Sequence, residues 1–299
     1  MNLLFLHNHV IEFDRIKKAR LNFMKIKLVA DSSANLFSMD GMDFASVPMR
    51  VRAGEKEYID DHQIDIPVRL IELATYNGKS GSACPGTGEW MDAFGDADAV
   101  FGVAITSGLS GCYNAGATAG EQYEAEHPGR RVFILDSLST GPEMELILEK
   151  YKELANADQS FDEMKNHIQE YCKHTHLLFS LESLDNFAKN GRVSVATAKI
   201  AGLLGIRIVG RASDEGTLEP LHKCRGEHSA LKKILSCMKE SGYCGGKVRL
   251  SHTYNPEAAE ALKNMITEEY PDADISIREN HGLCCYYAEV GGVLVGFEG

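Results

Sequence analysis

The chain has no run of about 18 apolar residues, so no segment looks like a membrane-spanning helix. Its first apolar stretch, Leu3 to Leu6, is short and is followed by two histidines and a charged stretch, which is not the layout of a signal peptide. No G-x-x-x-x-G-K-[ST] and no G-x-G-x-x-G occurs, so neither a P-loop nor a dinucleotide-binding turn is supported. Positive charge is scarce. With 31 Lys and Arg against 43 Asp and Glu, the formal net charge is −12, which disfavours nucleic acid and anionic membrane as main partners while leaving room for a local basic patch. None of the eight cysteines forms a C-x-x-C pair, and Cys284 and Cys285 are adjacent, so this is no zinc ribbon. A chain of 299 residues does not need a disulfide framework either, so free thiols in the cytoplasm are the expectation. His174 and His176 lead into an apolar strand with no carboxylate at ligand spacing, and no metal site is expected.

Of the residues present, 44% are hydrophobic and 25% charged, the balance of a soluble globular chain. Strand-like runs alternate with helical stretches of 10 to 15 residues, which predicts an α/β protein with mainly parallel sheets and helices on both faces. Expected strands include 25–30, 99–106, 131–135, 177–181, 247–251, 275–278 and 293–297, with hairpins over 44–59 and 207–224. Helices are expected at 67–76, 89–94, 112–126, 142–155, 161–172, 196–204, 227–239 and 256–267. Residues 1–23 read as an N-terminal extension, with Met24 directly before the first strand. Two α/β domains are expected beyond it, 24–160 and 161–299, with a ligand between them.

In open α/β sheets, ligands bind beyond the carboxyl ends of the strands. Here those ends carry hydroxyls, at Asp31-Ser32-Ser33, at Ser107 to Ser110 and at Asp136-Ser137, and Ser82 lies in a Gly-rich stretch ahead of a helix. Small residues at helix N-termini suit an anion, because free N–H groups point at it. Lys79 is the one cation within these segments, which favours a single modest charge such as a carboxylate. A serine after a strand also commonly just caps the next helix. The rival reading is a serine hydrolase. Gly108-Leu109-Ser110-Gly111-Cys112 is nearly a G-x-S-x-G elbow, and Asp136 and His252 follow in the chain order of a triad, although a cysteine replaces the last glycine.

Taken in order, the motifs resemble the DegV family. They are Val29-Ala30-Asp31-Ser32-Ser33, Val47-Pro48, Tyr58-Ile59-Asp60, Ser82-Ala83-Cys84-Pro85, Ser107 to Tyr113, Leu135-Asp136-Ser137, Leu181 to Arg192 and Lys223 to Arg225. The resemblance runs from Lys25 to the C-terminus. It implies a two-domain α/β fold and a non-enzymatic carrier of a long-chain fatty acid, with no cofactor. The carboxylate would be held by Ser82, Ser110 and Gly111, with Asp31, Ser32, Ser107, His281 and Glu289 behind them, and the acyl chain would run in an apolar tunnel at the domain interface. It further implies a fatty acid kinase as partner, for which Arg225, Lys223 and Arg192 are the candidate docking cations. The sequence departs from the family pattern in three places. Ser82 stands for a threonine, Cys112 for another, and Glu289-Val290-Gly291-Gly292 for a C-terminal His-x-Gly-Pro-Gly, so that His281 or another group is needed to take over from that histidine. In such a carrier the tail supplies the affinity. Burying about 15 CH₂ groups at roughly 0.8 kcal/mol each contributes on the order of 12 kcal/mol before association costs, which leaves the hydroxyls to supply orientation.

Overall fold

The computed structural model describes residues 24–299 apart from 67, 68, 70, 71, 74, 75, 77, 158, 202 and 203. The extension 1–23 and much of the helix expected over 67–76 therefore lie outside the described residues.

Three sheets organise the chain. The first is a four-stranded parallel sheet in the order β2-β1-β6-β7, with β1 at Ile26–Asp31, β2 at Asp43–Val47, β6 at Ala99–Ala104 and β7 at Arg131–Asp136. Strand β6 is apolar or glycine throughout (AVFGVA) and buried throughout, as a central parallel strand covered on both faces should be. Helices α1 (Thr87–Phe94) and α2 (Cys112–Glu126) pack against this sheet and against each other. They come close because Gly116 and Gly120 of α2 face Trp90 and Val132, where an added Cβ would lie 3.1 and 2.9 Å from the nearest atoms. Helix α3 (Pro142–Ala155) contacts β1 and β6, and α4 (Phe161–Tyr171) packs on α3, stacking Phe161 on Phe101 with ring centroids 4.6 Å apart. Phe161, Met164 and Ile168 all belong to this first core.

The second sheet has six strands in the order β10-β9-β8-β13-β11-β12, with β8 at Thr175–Leu181, β9 at Ile206–Ala212, β10 at Leu218–Arg225, β11 at Lys247–His252, β12 at Asp274–Glu279 and β13 at Val293–Glu298. The expectation of mainly parallel sheets holds for the first sheet. In the second, only β11 and β12 run parallel, and the other four pairings are antiparallel. Two of these arise because the last strand, β13, inserts between β8 and β11, antiparallel to both, and the other two join the successive strands β8, β9 and β10. Helices α7 (Glu227–Glu240) and α8 (Pro256–Glu269) pack on this sheet and on each other. Helix α3 touches β8, β11 and β13 as well as the first sheet, which is why its first two turns are buried all round.

The third sheet is small and antiparallel, β4-β3-β5, with β3 at Arg50–Ala53, β4 at Lys56–Ile59 and β5 at Ser80–Ala83. The stretch 44–53, expected as one arm of a hairpin, divides at Pro48. Its first part pairs with β1, and its second turns through Gly54 into β4. Short helices α5 (Asp185–Lys189), α6 (Val195–Ala201) and α9 (Gly282–Ala288) fill the space between the sheets. Helix α9 lies against β3 and α5 against β5.

Candidate functional site

A cavity of about 310 Å³ opens where the three sheets meet, within the size range of small-molecule sites. Its walls are apolar over much of their extent, with Leu177, Phe179 and Leu181 from β8, Leu218 from β10, Leu283 and Ala288 from α9 and Leu294 from β13. Its polar wall holds Ser82, Ser110, Gly111, Arg192 and Tyr287. Contacts bring the segments of this polar wall together. A Cβ on Gly111 would lie 3.8 Å from Cys84 Sγ, the Nε of Arg192 donates to the Leu109 carbonyl at 3.2 Å, and the Ser82 and Tyr287 hydroxyls share a hydrogen bond of 2.7 Å. The β9–β10 turn closes over the 106–108 loop. There Thr106 Oγ1 donates to the Gly216 carbonyl at 2.7 Å, and at Gly108 an added Cβ would sit 2.6 Å from the Glu215 carbonyl. Gly216 has φ +71° and Thr106 Oγ1 2.0 Å from where a Cβ would be, so this seat accepts only glycine.

Ser82 is on β5, and Ser110 precedes α2. The Ser110 Oγ accepts from the Cys112 N–H at 3.2 Å, and the helix cap itself, Gly111, offers no side chain. Ser110 and Gly111 line the cavity, so the N-terminus of this 15-residue helix, with its partial positive charge, lies at the polar wall. Arg192 adds a full charge. It is held by the carbonyls of Leu109 and Asn190 and has no acidic partner among the described residues.

The other sequence-derived candidates are not among the cavity-lining residues; Asp31 and Ser32 are buried, His281 and Glu289 half-buried and Ser107 exposed. Asp31 accepts from the N–H of Ser33 at 3.0 Å, the Ser33 hydroxyl at 2.5 Å, the Ile105 N–H at 2.6 Å and Cys112 Sγ at 3.4 Å. Burial pushes its carboxyl above the usual range. Burial and the charge of Asp31 push the Cys112 thiol well up, so Cys112 is a neutral donor where the family pattern has a threonine. Ser32 Oγ donates to Asp60 Oδ2 and accepts from the Met49 N–H, both at 2.9 Å. His281 does not turn to the cavity. Its Nδ1 is 2.7 Å from Asp60 Oδ1, and its ring lies 4.4 Å from that of Phe37. Glu289 accepts from Ser183 Oγ at 2.9 Å and from the Asn186 N–H at 3.3 Å, and burial raises its carboxyl. Ser107 donates its N–H to Asp136 Oδ1 at 3.0 Å.

The hydrolase arrangement is not assembled. Among the described residues Asp136 accepts only from backbone, at Ser107 and at Leu138, while His252 sits at the end of β11 in the other large sheet and accepts from the Asn255 N–H at 3.3 Å. No hydrogen bond joins Ser110, Asp136 and His252 among the described residues, and neither Asp136 nor His252 lines the cavity. No group of three or more His, Cys, Asp or Glu that could hold a metal ion occurs among the described residues. Nor is any described helix long and apolar enough to cross a membrane.

Arg192 was expected on a docking surface and instead lines the cavity. Lys223 and Arg225 are exposed on β10, the edge strand of the six-stranded sheet, and Lys223 shares a groove with Lys232 and Lys233. Tyr287 was not singled out from the sequence. Its signal is the pair of hydrogen bonds from consecutive tyrosines to alternate serines of β5, and that becomes visible only once α9 and β5 are placed together.

A family model described as an uncharacterised protein of the DegV family matches residues 25–297, and the chain belongs to the DegV family. A DegV domain-containing protein of Streptococcus pneumoniae strain R6 is 36% identical over 279 residues, 92% of this chain and 99% of the relative. Among solved structures, a DegV family protein from Eubacterium eligens, loaded with heptadecanoic acid, is 41% identical with a TM-score of 0.90, covering 91% of this chain and 99% of that one. The Streptococcus pneumoniae Fatty Acid Kinase (Fak) B3 protein, loaded with linoleic acid, is 36% identical with a TM-score of 0.90, covering 92% and 99%.

Proposed function

We propose that this protein binds one long-chain fatty acid and presents it to a fatty acid kinase in the cytoplasm, as a carrier with no catalysis of its own. The carboxylate lies against Ser82, Ser110, Gly111 and the N-terminus of α2, with the Arg192 charge close by. The acyl chain extends between the two large sheets, along Leu177, Phe179, Leu181 and Leu294. The chain then divides functionally into a half built on the parallel sheet and a half built on the six-stranded sheet, with the ligand between them. The packing of α4 into the first core favours drawing that division just ahead of β8.

The observation that carries this reading is the cavity itself. One wall gathers the hydroxyls of Ser82, Ser110 and Tyr287, a helix N-terminus whose cap residue Gly111 has no side chain, and an arginine with no acidic partner among the described residues, while much of the remainder is apolar. The test is mass spectrometry of lipid extracted from the purified protein, with titration of the delipidated protein by defined fatty acids. A stoichiometric long-chain fatty acid is expected. No extracted lipid together with no binding of added fatty acid overturns the reading. So does turnover of a p-nitrophenyl ester that disappears in Ser110→Ala.

A further inference from the structure

Tyr287 is the only phenol among the described residues that line the cavity, and its hydroxyl lies 2.7 Å from Ser82 Oγ. The arrangement is repeated one step away. The hydroxyls of Ser80 and Tyr286 are 2.8 Å apart, and Asn190 Nδ2 donates to the Tyr286 hydroxyl at 2.9 Å. Alternate residues of β5 share a face, so consecutive tyrosines of α9 grip two serines of one strand and fix the strand against the 190–192 segment. The Tyr287 ring is held in turn by Phe187, 4.7 Å away between centroids, and by Tyr286 at 4.9 Å.

A shared hydrogen bond between two hydroxyls has one donor. The Tyr287 phenol is partly buried, and burial raises its proton affinity, with Ser82 and the Arg192 charge acting the other way, so it keeps its proton at neutral pH. A phenol is a stronger donor than an alkyl hydroxyl, and a nearby guanidinium strengthens it further. The donor is then Tyr287, and Ser82 keeps its own proton for whatever lies in the cavity.

Resting on the fatty-acid reading above, we propose that Tyr287 is a positioning residue that turns the Ser82 proton into the cavity, so that the site selects a carboxylate over an uncharged end group on the same chain. The test is displacement of a fluorescent fatty acid from the full-length protein by hexadecanoic acid and by hexadecan-1-ol, for the wild type, Tyr287→Phe, Ser82→Ala and the double variant. The wild type is expected to prefer the acid. Tyr287→Phe, which keeps the ring and its packing, should lose about tenfold in affinity for the acid and little for the alcohol, because only the acid uses a charge-assisted hydrogen bond. The double variant should be no weaker for the acid than Ser82→Ala alone, since the tyrosine acts through the serine. Equal losses for acid and alcohol in Tyr287→Phe, preserved discrimination in that variant, additive losses in the double variant, or a wild type that does not discriminate would each overturn the inference while leaving fatty-acid binding standing. A wild type that releases no probe to either competitor overturns the fatty-acid reading and this inference with it.

Discussion

Ser82 and Ser110 both line the cavity, and the sequence singled them out because each follows a strand or small-residue segment and precedes a helix. Replacing either Ser82 or Ser110 with alanine should weaken fatty-acid binding by roughly 0.5–3 kcal/mol, the range for a lost hydrogen bond to a charged group. Titration with a fluorescent fatty acid measures it, and unchanged affinity in the double alanine variant would put the head group elsewhere. His281 shows where such reading stops. A histidine close in sequence to the departure from the family pattern looked like a replacement, but the fold commits it to Asp60, while the hydroxyl that does reach Ser82 belongs to a tyrosine that reads as ordinary core in GLCCYYA. Glu143 was equally invisible as a titrating group. It lies in the first turn of α3 and accepts from Thr175 Oγ1 at 2.8 Å, yet burial still pushes its carboxyl up to about 7 from an ordinary 4.5. Between those values the folded protein holds a proton that the unfolded chain has released, so stability falls as pH rises through that window. Glu143→Gln removes this cost. At pH 8 the variant should be more stable by up to roughly 3 kcal/mol, and at pH 4, where the carboxyl is protonated in both states, the difference should vanish. Thermal unfolding of both proteins at the two pH values is the measurement, and an equal gain at both would mean that packing and not ionisation is responsible.

At the level of elements, the apolar runs placed most strands to within a residue or two, including 99–104, 131–136 and 247–252. Periodicity carries the kind of element but not its neighbours, which is why the parallel sheet was anticipated and the insertion of β13 between β8 and β11 was not. Strand β5, SGSA, escaped notice because serine and glycine are poor strand formers. Its existence depends on pairing with β3 and on the tyrosines of α9. Strand β13 approaches α3 closely. A Cβ on Gly296 would lie 2.5 Å from the Glu143 nitrogen and from the Pro142 carbonyl carbon, both backbone atoms with nowhere to go. Helix α3 is also fixed to the six-stranded sheet by a two-pronged ion pair, with Arg249 Nε and Nη2 each 2.8 Å from a Glu149 oxygen, and by Arg278 Nε at 2.7 Å from Glu145 Oε1. The helix cannot simply shift aside, so Gly296→Ala should destabilise the protein by about 1–3 kcal/mol. Chemical denaturation of delipidated protein checks it, and a loss under about 0.5 kcal/mol would show that α3 yields more easily than its ion pairs suggest.

For the whole molecule, the surface charge bears on which partner it meets. With a formal net charge of −12, clustered free cations stand out, and the edge strand β10 carries two, Lys223 and Arg225, exposed and without an acidic partner among the described residues. Lys223 shares a surface groove with Lys232 and Lys233 of α7. Charge on an edge strand also keeps it from pairing with other chains, and the two roles are separable by experiment. Arg225 is not among the cavity-lining residues, so Arg225→Ala should leave fatty-acid affinity intact. If the exposed face of β10 receives the acidic face of a kinase, the same change should weaken docking, and wild-type docking should fall as salt rises, more steeply than that of the variant. An arginine suits carboxylate recognition through its planar fork, so Arg225→Lys should restore docking only in part. The measurement is binding to the cognate kinase at several ionic strengths, alongside the rate of acyl-phosphate formation. Loss of fatty-acid binding in Arg225→Ala, or docking indifferent to both salt and substitution, would remove β10 from the interface and leave its charges as protection for the sheet edge alone.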